Sequence, residues 1–491
     1  MSSSTIILIA LVVAVTILGF LAARWGSSGK LATLDDWALG GRRFGTVVSW
    51  FLLGGDLYTA YTFIAVPALV YGVGALGFFA VPYATVAYPI AFIVLSRFYK
   101  IARARGYVTT ADFVRERFGS RTLEIVIALT GVLAALPYIA LQLDGMQAVF
   151  AHIGGVFSAG GGLAALAVSF VLLAAYTYTS GLRAPALIAF VKDTLIYVTV
   201  IAAIVIIPSK LGGWAHVFSS SQAALAARPK PGNTLLAPSQ YFAYATMAFG
   251  SALSLFIYPH SITSILAAKN TAVIRRNAAL LPVYSLLLGL LALLGYCGVA
   301  AGIKTNATSS VVPQLISMYF PDWLAGVAQG AIVIGALVPA AIMAIGSANL
   351  FASNVFNEFS AERNRSETRT AKLLTLAFCA VAFLLVLFLP VQYAIYFQLL
   401  GGAWMLQIFP AFVLGMYTNW FERRALVIGW ACGMVAAAAM AVSTRFTPNV
   451  TVHLGNITVT GFIALYALAI NLIVSALGTL ILGGDRAIHK S

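Results

Sequence analysis

Charge is what this sequence has least of. Of 491 residues only 9% are Asp, Glu, Lys or Arg, against about 25% in soluble domains, while 61% are hydrophobic. No water-soluble fold of that length hides so much apolar surface, and no polar stretch is long enough for a separate soluble domain. Cysteine is also scarce. Cys297, Cys379 and Cys432 each stand inside an apolar run, which excludes a disulfide framework and a paired-cysteine zinc site and leaves the redox compartment unread. The glycine stretch Gly160–Gly162 lacks the Gly-Lys-Ser/Thr ending of a phosphate loop, and the sequence has no kinase module and no metal cluster. The chain is therefore not expected to be an enzyme, to carry a cofactor or to need an obligate protein partner.

Long apolar runs are what it has in abundance. At about 20 residues per bilayer crossing, they read as thirteen spans, at residues 5–23, 44–73, 77–98, 122–149, 162–182, 184–207, 240–267, 278–302, 324–352, 371–390, 391–417, 425–443 and 459–482. The expected fold is an all-α polytopic membrane protein. An odd number of spans puts the termini on opposite sides. With the N-terminus outside and the C-terminus cytoplasmic, every basic residue except Lys210, Arg228, Lys230, Lys304 and Arg445 falls on the inner side. The net charge of +15 is thus a topology signal, not a nucleic-acid footprint. The first run lacks a basic segment before it, so it is expected to be an uncleaved span.

Glycine and proline at membrane depth cost hydrogen bonds unless a neighbour replaces them. Span 2 reads Gly54-Gly55-Asp56-Leu57-Tyr58-Thr59-Ala60-Tyr61-Thr62, and span 7, five spans later, reads Gly250-Ser251-Ala252-Leu253-Ser254 before Tyr258-Pro259-His260. Both are small and polar where lipid-facing leucines would stand. Two interrupted helices in matching places of two five-span units, entering from opposite sides, point to a secondary transporter with its site at the midplane. Of the acids, Asp56, Asp144 and Asp193 lie well inside spans, with Glu124 at the inner lip of span 4. Each needs a partner or a proton. Asp56, at the glycine break, is the first candidate to share a cation or a proton. Asp144, near an outer span end, is expected to be solvated. Asp193 follows Lys192, and an ion pair or a water-filled vestibule would satisfy it equally. His260 can relay a proton or simply bond a neighbouring helix.

Several segments resemble the sodium:solute symporter family over nearly the whole chain. They are Thr109-Thr110-Ala-Asp112-Phe113-Val-Arg115-Glu-Arg117-Phe118-Gly119-Ser120, Pro137-Tyr138-Ile-Ala-Leu-Gln142, and Tyr178-Thr-Ser180-Gly181-Leu-Arg183 leading to Asp193. The resemblance implies a leucine-transporter-type 5+5 inverted-repeat core. The expected division is a peripheral helix and inner loop at 1–43, a first repeat at 44–207, an outer loop at 208–239, a second repeat at 240–417, and two peripheral helices with a short tail at 418–491. Phe256-Ile-Tyr258-Pro259-His260-Ser261 followed by Arg275-Arg276-Asn277 resembles the bacterial monocarboxylate permease subgroup. This implies uptake of lactate, pyruvate, acetate or propionate across a bacterial or archaeal plasma membrane. The anion is expected to dock at helix-end amides near Gly54-Gly55 and Gly250-Ser251, with Thr59, Thr62, Tyr138 and Gln142 as hydrogen-bonding side chains and Trp404 lining the cavity.

In sodium-coupled members the resemblance implies a cation site between backbone carbonyls of the first core helix and a hydroxyl pair on the eighth. Here Val338-Pro339 stand where that pair would fall, and hard sodium wants oxygen ligands. Pro339 frees a carbonyl near Gly335, so a carbonyl-only sodium site near Gly55 and Gly335 stays open. Proton coupling is preferred, with Asp56, His260 and Asp193 as carriers. The alternatives are a sodium-coupled symporter of amino acids or another small organic solute, and an uncoupled facilitator or channel.

Overall fold

In hydrocarbon a chain must satisfy each backbone N–H and C=O within its own segment, so apolar runs become helices. The computed structural model describes all residues except 1, 25–32, 56–58, 153–160, 230–231, 306, 360–366, 389–393, 456 and 484–491. The chain runs through α1 (Ser3–Leu21), α2 (Thr46–Gly55), α3 (Tyr61–Val73), α4 (Ala80–Arg105), α5 (Thr110–Phe118) and α6 (Arg121–Phe150). It continues through α7 (Gly161–Ser180), α8 (Arg183–Lys210), α9 (Trp214–Ala226), α10 (Tyr241–Leu255), α11 (Pro259–Leu266) and α12 (Thr271–Ala300). Then follow α13 (Val311–Tyr319), α14 (Asp322–Phe359), α15 (Glu367–Phe388), α16 (Gln398–Tyr417), α17 (Arg423–Ser443), a hairpin of β1 (Asn449–Leu454) and β2 (Ile457–Phe462), and α18 (Ile463–Leu482).

Among the described residues, eleven helices are long and apolar enough to cross a membrane, and α10 with α11 makes a twelfth, bent by 49°. The place of the second expected span is held by two shorter helices, α2 and α3, on either side of residues 56–58. Exposed apolar side chains, such as Ile6, Val13 and Ile17 of α1 and Ile473, Leu477 and Ile481 of α18, form the surface that lipid covers. Two departures from the sequence reading lie between spans. The last span was expected from 459, but alternating Val and Thr make residues 457–462 a strand, paired in the register Asn449↔Phe462. The stretch expected as an outer loop at 208–239 contains α9.

The central element is α14, buried at every residue from Ala328 to Leu350 and surrounded by α1, α6, α8, α11 and α15. Small residues make this possible. A Cβ on Gly330 would come within 2.8 Å of Leu11, and one on Gly346 within 2.9 Å of the backbone nitrogen of His260. The two broken spans meet at one end. The Phe44 N–H donates to the Ala267 carbonyl at 3.1 Å and the Lys269 N–H to the Phe44 carbonyl at 2.8 Å. The beginning of one broken span thus lies beside the end of the other, and the two run in opposite directions, as an inverted repeat requires.

Gly346→Val would push a side chain into the start of α11. The expected result is destabilisation by about 1–3 kcal/mol, read as a lower unfolding temperature in detergent; an unchanged temperature would mean that α11 does not seat on α14 here.

Candidate functional site

The break in the first interrupted span is anchored by α6. The Ala60 N–H donates to Gln142 Oε1 at 2.9 Å, and Gln142 Nε2 donates to the Tyr138 carbonyl at 3.4 Å. Thr59 Oγ1 accepts from the Tyr61 N–H at 3.0 Å, and the Thr59 carbonyl accepts from the Thr62 and Phe63 amides. Gly145 lets the two elements approach, because a Cβ there would sit 2.4 Å from the Ala60 Cβ. Gln142 and Thr59, expected as solute contacts, are therefore engaged in holding the start of α3. Thr62 is buried beside them. Asp56 lies outside the described residues, and Gly55 ends α2.

The helix-end amides expected near Gly250-Ser251 are not there. Helix α10 runs through both to Leu255, and the chain leaves helical geometry at 256–258, where Pro259 cannot donate to the preceding turn. Gly250 instead accommodates Phe462 of the hairpin, whose ring would be 2.7 Å from an added Cβ. Ser251 does face inward. Together with Tyr61, Tyr83, Tyr138, Ser254, Tyr258, Gln398 and Gly402 it lines a small cavity between α3, α4, α6, α10 and α16. Trp404 is not among the lining residues; it is half-buried and packs against the apolar core, two residues beyond Gly402. Among the described residues Ser251 Oγ, Tyr258 Oη and Gln398 Oε1 are buried without a hydrogen-bond partner. Three such groups in one aromatic-walled cavity are what a small polar solute would satisfy. Tyr61, Tyr83, Ser254, Tyr258 and Gln398 were not among the expected site residues. A tyrosine just before the Pro259 break and a glutamine inside an apolar run were the available signals; nothing marked Tyr61 or Tyr83.

His260 is fully buried behind the cavity, its ring 5.6 Å from that of Tyr138 and 5.2 Å from that of Tyr258. Neither of its nitrogens has a hydrogen-bond partner among the described residues. Asp144 is 4% exposed, which corrects the expectation that it is solvated: α6 is buried on both sides at this depth. For Asp193 the ion pair is what forms. Lys192 Nζ lies 2.6 Å from Asp193 Oδ1, both residues are 0% exposed, and Tyr284 Oη donates to Asp193 Oδ2 at 3.1 Å. Val338 and Pro339 are buried in mid-helix and bring no side-chain oxygen, and Gly335 faces Ile196. This donor set does not fit a hydroxyl-ligated sodium ion.

At the end of the molecule rich in Arg and Lys, polar contacts join α5 to its neighbours. Asn354 donates to Asp112 Oδ1 at 2.6 Å and to Glu124 Oε1 at 2.9 Å, and accepts from Thr109 Oγ1 at 2.7 Å. Arg115 bridges Glu124 and Glu358, and Arg121 pairs with Glu358 at 2.9 Å. The bond with Glu358 is the main reason the Arg115 guanidinium is held above its ordinary range. Arg117 donates to the carbonyls of Gly415 and Thr418. The motif of residues 109–120 thereby straps α5 to the ends of α14 and α16.

The model of the sodium:solute symporter family matches residues 37–433. A monocarboxylate transport permease protein of Rhizobium johnstonii is 50% identical over 465 residues, 94% of each chain. The uncharacterized symporter YodF of Bacillus subtilis is 32% identical over 438 residues, 88% of this chain and 86% of that one. A solved structure of a sodium-coupled sialic acid symporter, in a substrate-bound outward-open state, superposes with a TM-score of 0.77 at 15% identity, covering 98% of this chain and 97% of that one.

Gln142→Leu leaves the Ala60 N–H buried and unpaired, at a cost of about 1–3 kcal/mol. A clear fall in detergent unfolding temperature is expected for Gln142→Leu and a smaller one for Gln142→Glu, which keeps an acceptor; equal falls would show that the bond to Ala60 is not what Gln142 supplies.

Proposed function

Because this chain belongs to the sodium:solute symporter family, and is thus a multi-pass secondary active transporter of solutes, we propose that it imports short monocarboxylates by alternating access, driven by protons. What carries the substrate assignment is the 50% identity to a monocarboxylate transport permease along 94% of both chains. The cavity is consistent with it. Hydroxyls of Ser251 and Tyr258 and the amide group of Gln398 stand among tyrosine rings, so donors for a carboxylate sit beside apolar surface for a short alkyl tail. Selectivity among acids differing by a methylene is loose, because one methylene is worth about 1–3 kcal/mol. In this reading Gly55, Thr59, Thr62, Tyr138 and Gln142 form the wall at the first break, residues 44–207 and 240–417 are the two repeats, and the Arg- and Lys-rich end faces the cytoplasm of a bacterial or archaeal cell. The strap of α5 then closes the cytoplasmic side while solute enters from outside.

Proton coupling rests on α14, which offers Val338 and Pro339 where a sodium ion needs oxygen. Asp56, His260 and Asp193 are the candidate carriers. Purified protein in sealed liposomes should accumulate labelled lactate under a proton gradient alone and not under a sodium gradient alone. Accumulation driven only by sodium would replace the proton reading with one based on the carbonyl that Pro339 frees at Gly335. No lactate uptake under either gradient would remove the monocarboxylate assignment. Tyr258→Phe deletes one donor to a charged group, about 1.5–3 kcal/mol, and should raise the KM for lactate about tenfold or more.

A further inference from the structure

Three features stand outside the cavity: the apolar crevice around Leu53, Tyr88 and Phe256, the polar strap at the Arg-rich end, and the buried pair Lys192–Asp193. The pair goes furthest. Among the described residues Lys192 is the one lysine that is buried, and it and its partner are both at 0% exposure. Consecutive residues on a helix point about 100° apart and do not face each other; here the long lysine stem turns back so that Nζ reaches Asp193 Oδ1 at 2.6 Å. A charged pair in hydrocarbon is costly and marks a functional path by default.

Its place in the fold is specific. On α8, Ile196 packs on Gly335 of α14, its Cδ1 lying 3.6 Å from where a Gly335 Cβ would be, and Ile188 packs on Gly19 of α1. Lys192 lies between them on the same helical row. Since α8 and α14 are antiparallel neighbours, one turn along each, about 6 Å, puts Lys192 at the level of Pro339. Asp193 occupies the adjoining row and reaches Tyr284 of α12. The Tyr284 ring in turn fills the space left by Gly54 of α2, where an added Cβ would be 2.3 Å away. The pair therefore lies between the broken helix and the central helix. Tyr197 hydrogen-bonds Tyr284, which makes a chain of hydroxyls ending on the Asp193 carboxylate.

We propose, on the reading that uptake is proton-coupled, that Lys192 and Asp193 together are the proton site. As an ion pair they are neutral. A proton from the outer water adds to the Asp193 carboxylate, the ion pair opens, and the Lys192 ammonium is left with an uncompensated charge of +1 beside the first break. A monocarboxylate anion entering the cavity balances that charge. After the inward transition the anion leaves, Asp193 gives its proton to the cytoplasmic water, and the pair closes again. One proton and one anion move together, so the cycle is electroneutral. Among the described residues Tyr284 of α12 bonds the pair, and Tyr197 of α8 bonds Tyr284. The sequences of α1, α2 and the buried stretch of α14 contain no Asp, Glu, Lys, Arg or His, while Asp56 follows α2 directly.

The test uses full-length protein in sealed liposomes with labelled lactate and a gradient of one pH unit. Wild type should accumulate lactate about tenfold, the limit for one proton per anion, with no response to a potassium diffusion potential. Lys192→Gln, Asp193→Asn and the double variant, which keeps a neutral hydrogen-bonded pair if either single change fails to fold, should lose accumulation to a ratio of one. In the same variants exchange of labelled for unlabelled lactate should persist but lose its pH dependence. Wild-type accumulation in Lys192→Gln or Asp193→Asn overturns the assignment. Loss of exchange in all three pair variants also overturns it, showing a pair that only holds helices together. A wild type driven by sodium alone sinks the proton reading itself, an outcome distinct from the others because there the wild type still follows protons.

Discussion

Everything in this molecule follows from the absence of water along most of its length. A helix that crosses hydrocarbon without interruption meets its own hydrogen-bonding needs, and one that breaks must find partners elsewhere. The first break finds them in Gln142, whose side chain accepts from the Ala60 N–H, with Gly145 allowing the approach. The second is made by Pro259, and its small-residue contact is Gly346 of α14. The cavity lies beside both breaks, between α3, α4, α6, α10 and α16.

The same constraint sorts the charged residues. At the Arg-rich end, Arg115, Arg121, Glu124 and Glu358 form a network in which each charge has a partner, half in contact with water. The arginines keep contact with water while both carboxylates are buried. In the interior, Lys192 and Asp193 neutralise one another, because an unpaired charge there would cost far more than the pair does. A proton is one of the few species able to unbalance such a pair without a new cavity, since it needs no ligand shell. On the proposed reading a sodium ion is the poorer fit, since it needs several oxygens and the side chains of Val338 and Pro339 supply none.

Apolar run length was enough to place the crossings, and the glycine pair at 54–55 marked the first break within a few residues. Helix-end amides were expected at Gly250-Ser251 because small residues inside an apolar run look alike whether they loosen a helix or admit a neighbour; Gly250 admits Phe462. Gln142 was legible as a polar residue facing inward, but not as a cap, since its partner Ala60 is 82 residues away in the chain. Trp404 was drawn toward the cavity by its neighbours Gly401-Gly402, whereas the helix rotation gives that role to Gly402 and Gln398.

The sequence by itself determined that the chain lives in a bilayer, where its long apolar helices fall and which family it resembles. Those properties are local: hydropathy, charge and short motifs each act within one segment. Only the tertiary structure decided which side chains share the cavity, that Asp193 is met by Lys192 and Tyr284, and that Asp144 is buried. Those depend on how helices far apart in the chain rotate and pack, and rotation is set by close approaches such as Gly54 to Tyr284 and Gly346 to His260, which no single segment encodes.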